Sequence, residues 1–244
     1  MPEDYFGEKI AARYDETSAE MFDPAVVEPA VDVLAGLAGD GAALELGIGT
    51  GRIALPLARR GVRVHGIDLS EAMVARMREK EGGEDVPVTI GDFATTTVDG
   101  RFRLVYLVFN SIPNLTSQDE QVACFRNAAA HLEAGGAFVL EVNVPALRRL
   151  PAGDRVRVAR YGETGFTLDE YDVANQGLVS RHFRAVGDTL EERTIPFRFV
   201  WPSELDLMAQ LADLRLRERW GDWTREPFTS DSTKHVSVYE LPSS

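Results

Sequence analysis

The sequence predicts an α/β fold: a doubly wound, mostly parallel seven-stranded sheet with an N-terminal helical segment and an antiparallel β insertion after strand five. Three observations predict it. Between residues 42 and 142, five short apolar runs alternate with amphipathic helical stretches, the pattern of a parallel sheet covered on both faces. After Pro145 the pattern changes to alternating segments separated by turn residues. Near the C-terminus, Leu214–Gly221 and Lys234–Leu241 read as strands that return to the main sheet.

Each element has its own signal. Residues 5–37 read as two or three helical pieces: Tyr5, Phe6, Ile10 and Tyr14 recur at helical spacing, and Asp23-Pro24 is a helix start before the stripe Val26, Val27, Ala30, Val31 and Leu34. Gly39-Asp40-Gly41 is a turn. Ala42–Leu46 is the first strand, Arg52–Arg60 a helix ended by Gly61, and Val62–Ile67 the second strand. Ser70 caps a helix to Lys80. Val86–Ile90 and the very apolar Phe102–Phe109 are strands three and four; Gln118–Leu132 is a helix, and Gly135-Gly136 opens strand five, Ala137–Val142. Beyond it, Gln176–Val186 and Thr189–Val200 form a hairpin around Gly187-Asp188, and Ser203–Leu211 is the last helix. The chain divides into 1–38, helical; 39–145, the α/β core; 146–200, the β insertion; and 201–244, which completes the sheet.

The bulk composition narrows the function classes. The 244 residues are 44% hydrophobic and 27% charged, the balance of a globular enzyme that buries a full core. A formal net charge of -13, with no dense basic run, argues against a nucleic-acid partner and an anionic membrane surface. One cysteine, Cys124, forms no intrachain disulfide. The N-terminus MPEDYFGEKI lacks the basic and apolar regions of a signal peptide, and the reading is a cytoplasmic protein, monomer or homodimer. No metal site is assigned.

Three segments carry chemistry. Glu45-Leu46-Gly47-Ile48-Gly49-Thr50-Gly51 joins strand one to its helix, where glycines let backbone approach a ligand and the helix N-terminus offers unpaired N–H groups. A dinucleotide loop is G-x-G-x-x-G/A, but Arg52 holds the third slot and Glu45 would repel a pyrophosphate, whereas a cationic amino acid ligand suits it. Asp68 ends strand two, 19 residues after Gly49, where a carboxylate accepts from ribose hydroxyls; its other reading is a helix cap. Gly91-Asp92-Phe93 follows strand three, where Asp92 can accept from an adenine amino group, although Gly-Asp is also a common turn pair.

With these residues in this order, the chain resembles the class I S-adenosylmethionine-dependent methyltransferases of small-molecule type: the E-x-G-x-G-x-G loop, Asp68 in GIDLS, Gly91-Asp92-Phe93, VYLVFNSIPNL on strand four and the Gly135-Gly136 turn, over about residues 40–145. The resemblance implies the Rossmann-like methyltransferase fold and S-adenosylmethionine as cofactor. It implies that Glu45, Gly47, Gly49 and Gly51 hold the methionine moiety, Asp68 and Leu69 the ribose and adenine, and Asp92 and Phe93 the adenine. Phe109, Asn110 and Ser111 would line the methyl-donor end, and Tyr14 in AARYDE would be a lid tyrosine over it. The Asn110-Ser111-Ile112-Pro113 stretch lacks the Pro-Pro-aromatic sequence of methyltransferases acting on nucleic-acid amines.

Methyl transfer is an in-line displacement, so alignment supplies much of the acceleration, and a base is needed only where the acceptor must lose a proton. His182, in the hairpin expected to cover the site, is the candidate base; Glu141 and Asn143, at the end of strand five, either contact the acceptor or bond a loop. His65 and His131 read as structural. The aromatic bias of the second half (Tyr161, Tyr171, Phe197, Phe199, Trp201, Trp220, Trp223) reads mainly as packing. The expected activity is transfer of a methyl group to an O, N or C nucleophile of a small organic molecule. The alternatives are a nicotinamide-dependent oxidoreductase on a similar sheet and a non-catalytic cofactor-binding protein.

Overall fold

The computed structural model describes residues 7–162 and 164–243, without the side chains of Lys9 and Arg149. Tyr5 and Phe6 of the first apolar stripe lie outside the described residues. The N-terminal segment is α1 (Glu8–Ala11), α2 (Tyr14–Thr17), a 3-10 turn (Ala19–Phe22) and α3 (Pro24–Ala38). Asp23 caps α3 by accepting from the Ala25 N–H at 2.8 Å, and Pro24 takes the first helical position, where its missing N–H costs nothing.

The core then alternates: β1 (Ala42–Leu46), α4 (Ala54–Arg59), β2 (Arg63–Asp68), α5 (Glu71–Arg78), β3 (Val88–Ile90), β4 (Phe102–Leu107), α6 (Gln118–His131) and β5 (Leu132–Asn143). Ser70 caps α5, and Ser117 with Glu120 forms a reciprocal capping box on α6. β5 begins five residues earlier than the glycine pair suggests. Leu132 already pairs with Phe102, and Gly135, at φ +73°, sits at an irregularity inside the strand rather than before it.

After β5 come β6 (Val156–Gly162), β7 (Gly165–Asp172), β8 (Gly177–Val186) and β9 (Thr189–Arg198), an antiparallel four-stranded sheet in sequence order. The chain re-enters the core through α7 (Pro202–Gln210), β10 (Arg215–Trp220) and β11 (Lys234–Glu240). The main sheet runs β10-β11-β5-β4-β1-β2-β3, with β11 antiparallel to β5 and to β10 and the other pairs parallel. One face buries Val31, Leu34, Leu57 and Tyr106 under α3 and α4; the other buries Phe125, Phe138, Leu205 and Tyr239 under α6 and α7. No helix among the described residues is long and apolar enough to cross a membrane.

The strand order reverses between β1 and β4. Ligands of open α/β sheets bind outside the carboxyl ends of the strands at such a switch point. β9 packs on the 3-10 turn Ile112–Asn114, which follows β4, so the small sheet stands over that same edge.

Candidate active site

The glycine loop leaves β1 with its first two N–H groups, Gly47 and Ile48, bonded to the Ile67 carbonyl at 2.8 and 3.1 Å. Gly47, Gly49 and Gly51 take φ of +72°, +55° and +77°, the left-handed region that glycine enters without a steric cost. The three missing side chains do different work. A Cβ on Gly47 would stand 3.8 Å from the Phe93 ring, so this backbone faces the segment after β3. A Cβ on Gly49 would meet only Met73 Cε, at 3.5 Å. A Cβ on Gly51 would fall 2.6 Å from Met77 Cγ and 2.9 Å from Leu55 Cγ, so Gly51 lets the loop pack against α5.

Asp68 joins the loop to the start of α5, while the cap of α5 itself is Ser70. One oxygen accepts from the Gly49 N–H at 2.6 Å, across to the loop, and the other from Ser70 N–H at 2.8 Å, at the start of α5. Glu45 points into the sheet face under α3 and α4, 3% exposed, and accepts from the Tyr106 hydroxyl at 2.9 Å. Burial pushes its carboxyl up to about 8, against the pull of the Tyr106 hydrogen bond and of Arg52. Asp92 accepts from Ala94 N–H at 2.9 Å, and the Asn127 amide holds the Phe93 carbonyl at 2.9 Å. Leu69 is half-buried between Asp68 and the cap.

Past the end of β4, Phe109 and Asn110 are two consecutive non-glycine residues in the left-handed region, at φ +59° and +54°. Such residues cost about 1 kcal/mol or more each and persist where surrounding bonds fix them. Glu141 supplies those bonds. Its carboxylate accepts from Phe109 N–H at 3.0 Å, and its backbone carbonyl accepts from Asn110 N–H at 3.0 Å. The Asn110 side chain then accepts from the Asn143 backbone N–H at 2.9 Å, and the Ser111 hydroxyl donates to the Val108 carbonyl at 2.8 Å. Glu141 is therefore engaged by the loop on one oxygen and faces Lys234 at 3.6 Å on the other.

The N-terminal helices reach the same place. Tyr14 is half-buried; burial raises its phenol, Arg52 draws it back, and Asp15 and Asp68 raise it further, which places all three charges around the ring. Sequence reasoning missed the contacts that tie this segment down. Thr50 donates to Asp15 at 2.7 Å; Lys80 pairs with Asp15 and donates to the Thr50 carbonyl at 2.8 Å. Arg52 donates to the Met21 carbonyl at 3.3 Å and lies 4.7 Å from the Phe109 ring centroid. These partners are 30 or more residues apart in sequence, and no local pattern marks them.

On the insertion, His182 of β8 lies opposite Thr167 of β7 and Arg193 of β9. Both ring nitrogens meet hydroxyls, Nδ1 that of Thr167 at 3.2 Å and Nε2 that of Ser180 at 3.3 Å. Burial lowers its pKa, Arg193 and Arg160 lower it further, and Asp169 opposes them. His65 meets Thr89 at 3.0 Å, and His131 is bonded at both nitrogens, to the Asn127 carbonyl and the Val98 N–H. Tyr171, Phe199 and Trp201 form a run of rings at 6.0 and 6.5 Å, while Trp220 and Trp223 sit in the core. The insertion is rooted by a buried network that no motif announces: Arg198 donates to Gln121 at 2.5 Å and Glu204 at 2.7 Å, and Gln176 to Glu204 at 2.7 Å.

Glycine backbone, a strand-end carboxylate at Asp68 and a ring at Phe93 thus meet along one edge of the sheet. The donor set suits S-adenosylmethionine: the Gly49 position admits a ligand beside the backbone, and Asp68 and Asp92 are acceptors for hydroxyl and amino groups.

Comparison with known proteins agrees. A family model described as a methyltransferase domain matches residues 43–136. The solved structure of the CcbJ methyltransferase from Streptomyces caelestis is 36% identical, with a TM-score of 0.87 and 98% of each chain covered. The cypemycin N-terminal methyltransferase of a Streptomyces species is 29% identical over 93% of this chain and 97% of its own length. A S-adenosylmethionine-bound amino pentose methyltransferase from Micromonospora echinaspora shares the fold, at 20% identity, a TM-score of 0.69 and coverage of 98% and 99%. The nicotinamide alternative is set aside on these grounds. The chain belongs to the class I S-adenosylmethionine-dependent methyltransferase family.

Proposed function

We propose that this enzyme methylates an amine nitrogen of a small organic molecule or short peptide of natural-product type, held between the strand-end loops and the small β sheet. The cofactor supplies a methyl group on a positively charged sulfur. The chain positions the two partners. In this reading Glu45, Gly47, Gly49 and Gly51 form the methionine end, with Gly51 setting the loop on α5 and Glu45 holding its buried carboxyl under the loop, where an ammonium group favours the ionised form. Asp68 and Leu69 take the ribose and its adenine side, and Asp92 with Phe93 the adenine. Phe109, Asn110 and Ser111 wall the methyl end, and Tyr14 closes over it. Glu141 acts by holding the Phe109-Asn110 turn.

One observation carries nitrogen over oxygen. His182, the candidate base, has both ring nitrogens committed to hydroxyls of its own sheet. An alcohol must lose its proton as it attacks, whereas a neutral amine attacks with its lone pair and sheds the proton afterwards. A relative leans the same way: it is a cypemycin N-terminal methyltransferase.

The test uses tritiated cofactor with matched acceptor pairs that differ only in amine against hydroxyl. Label is expected in the amines alone, at a rate rising tenfold per pH unit up to the amine pKa. Label in the alcohols and not the amines would overturn the reading.

A further inference from the structure

The two faces of the small sheet differ. Register places Arg157 opposite Asp169, Arg160 opposite Thr167, Ser180 opposite Asp169, and His182 between Thr167 and Arg193, so these side chains share one face. That face is turned inward: Thr167, Tyr171, Ser180 and Ile195 on it are buried, whereas Glu170, Glu192 and Thr194 on the other are exposed.

The inward face is basic in a chain of net charge -13. Arg157, Arg160 and Arg193 share it by register, Arg157 and Arg193 half-buried and Arg160 exposed at its edge strand. Among the described residues Asp169 is the one carboxylate in its buried stretch; the next, Glu191, stands at the exposed tip. Asp169 is a poor counter-ion. Its Oδ1 takes the Ser180 hydroxyl at 2.9 Å, and its Oδ2 lies 3.9 Å from Arg157 Nε, beyond hydrogen-bond distance. Arg157 Nε is buried with no hydrogen-bond partner, and Arg193, opposite His182, is half-buried on the same face. A buried guanidinium donor left unmade is costly, and a carboxylate is the shape its fork matches.

We propose that the inward face of β6–β9 is an anion subsite that recognises a carboxylate on the methyl acceptor, through Arg157 and Arg193, with the hydroxyls of Thr167 and Ser180 and the ring of His182 beside it. The acceptor is then an amino-acid-like molecule, amine at one end and carboxylate at the other. This rests on the reading that the small sheet walls the acceptor.

The experiment titrates the protein, saturated with S-adenosylhomocysteine, with 4-(trifluoromethyl)benzoate and with the neutral 4-(trifluoromethyl)benzamide, followed by fluorine NMR. The benzoate is expected to bind at least tenfold more tightly than the amide. Arg157→Met with Arg193→Met should remove that preference, and the single Arg193→Lys should keep part of it. Arg181→Met, on the outward face between Glu170 and Glu192, should leave it intact. Equal binding of both probes, binding of neither, or a preference that survives the double substitution overturns the proposal. The thermal shift given by S-adenosylhomocysteine in each variant reports folding and the donor site separately, so loss of the anion subsite is distinguishable from failure of the methyltransferase reading.

Discussion

Glu45 carries two opposed demands. Its side chain is buried beside Tyr106, and burial lifts its carboxyl from the ordinary carboxylate range to about 8. A raised folded-state value means that the native chain holds a proton the unfolded chain has lost. The stability is therefore fully present below the unfolded value and falls as pH rises toward 8, by an amount on the order of a few kcal/mol. Glu45→Gln should melt at the wild-type temperature near pH 4 and above it at pH 8.5, while losing affinity for the cofactor's cationic end; scanning calorimetry across pH, with and without S-adenosylhomocysteine, checks both. A variant that melts lower at pH 8.5 contradicts the assignment. Asp68→Ala removes the acceptor for Gly49 N–H and the turn bond to Ser70, so thermal melts should show a loss of about 1–3 kcal/mol. Cofactor affinity should fall by at least 100-fold.

At the scale of elements, the ends of strands do the positioning. Glu141 belongs to β5 but fixes the backbone beyond β4, in the neighbouring strand. Glu141→Ala should release the Phe109-Asn110 turn and lower kcat by about 10–100-fold while cofactor affinity changes less than threefold, since misplacement near the reacting atoms costs rate before binding; steady-state kinetics beside calorimetric titration separates the two. The root of the insertion is a different case. Arg198→Met leaves Glu204 and Gln121 facing a hydrocarbon chain and should cost about 2–4 kcal/mol in denaturant unfolding, with S-adenosylhomocysteine binding unchanged. Local signals made the elements themselves legible: β1 runs Ala42–Leu46 as the apolar run indicates, and Ser70 and Asp23 cap their helices. The bonds between elements were not legible, because Glu141 meets Phe109 only once β4 and β5 are neighbours, and the bulge at Val158/Arg160 decides which arginines of β6 face inward.

Across the whole molecule, acidity and a basic interior face coexist. The parallel core presents the donor residues along one carboxyl edge, the N-terminal helices are tied to that edge through Asp15, Thr50, Lys80 and Arg52, and the small sheet stands over it on β9. The residues proposed for the donor side were legible as a set in sequence because they follow strand ends in order. The faces of the small sheet were not legible, because an antiparallel insertion places its side chains by register. The central claim is that this edge binds S-adenosylmethionine through the Gly47–Gly51 loop and Asp68. Isothermal titration with S-adenosylhomocysteine tests it most directly: one site per chain is expected, abolished in Asp68→Ala and in Gly49→Val, with no heat from NADH. Absence of binding to the wild-type protein, or binding that survives both substitutions, would contradict the account.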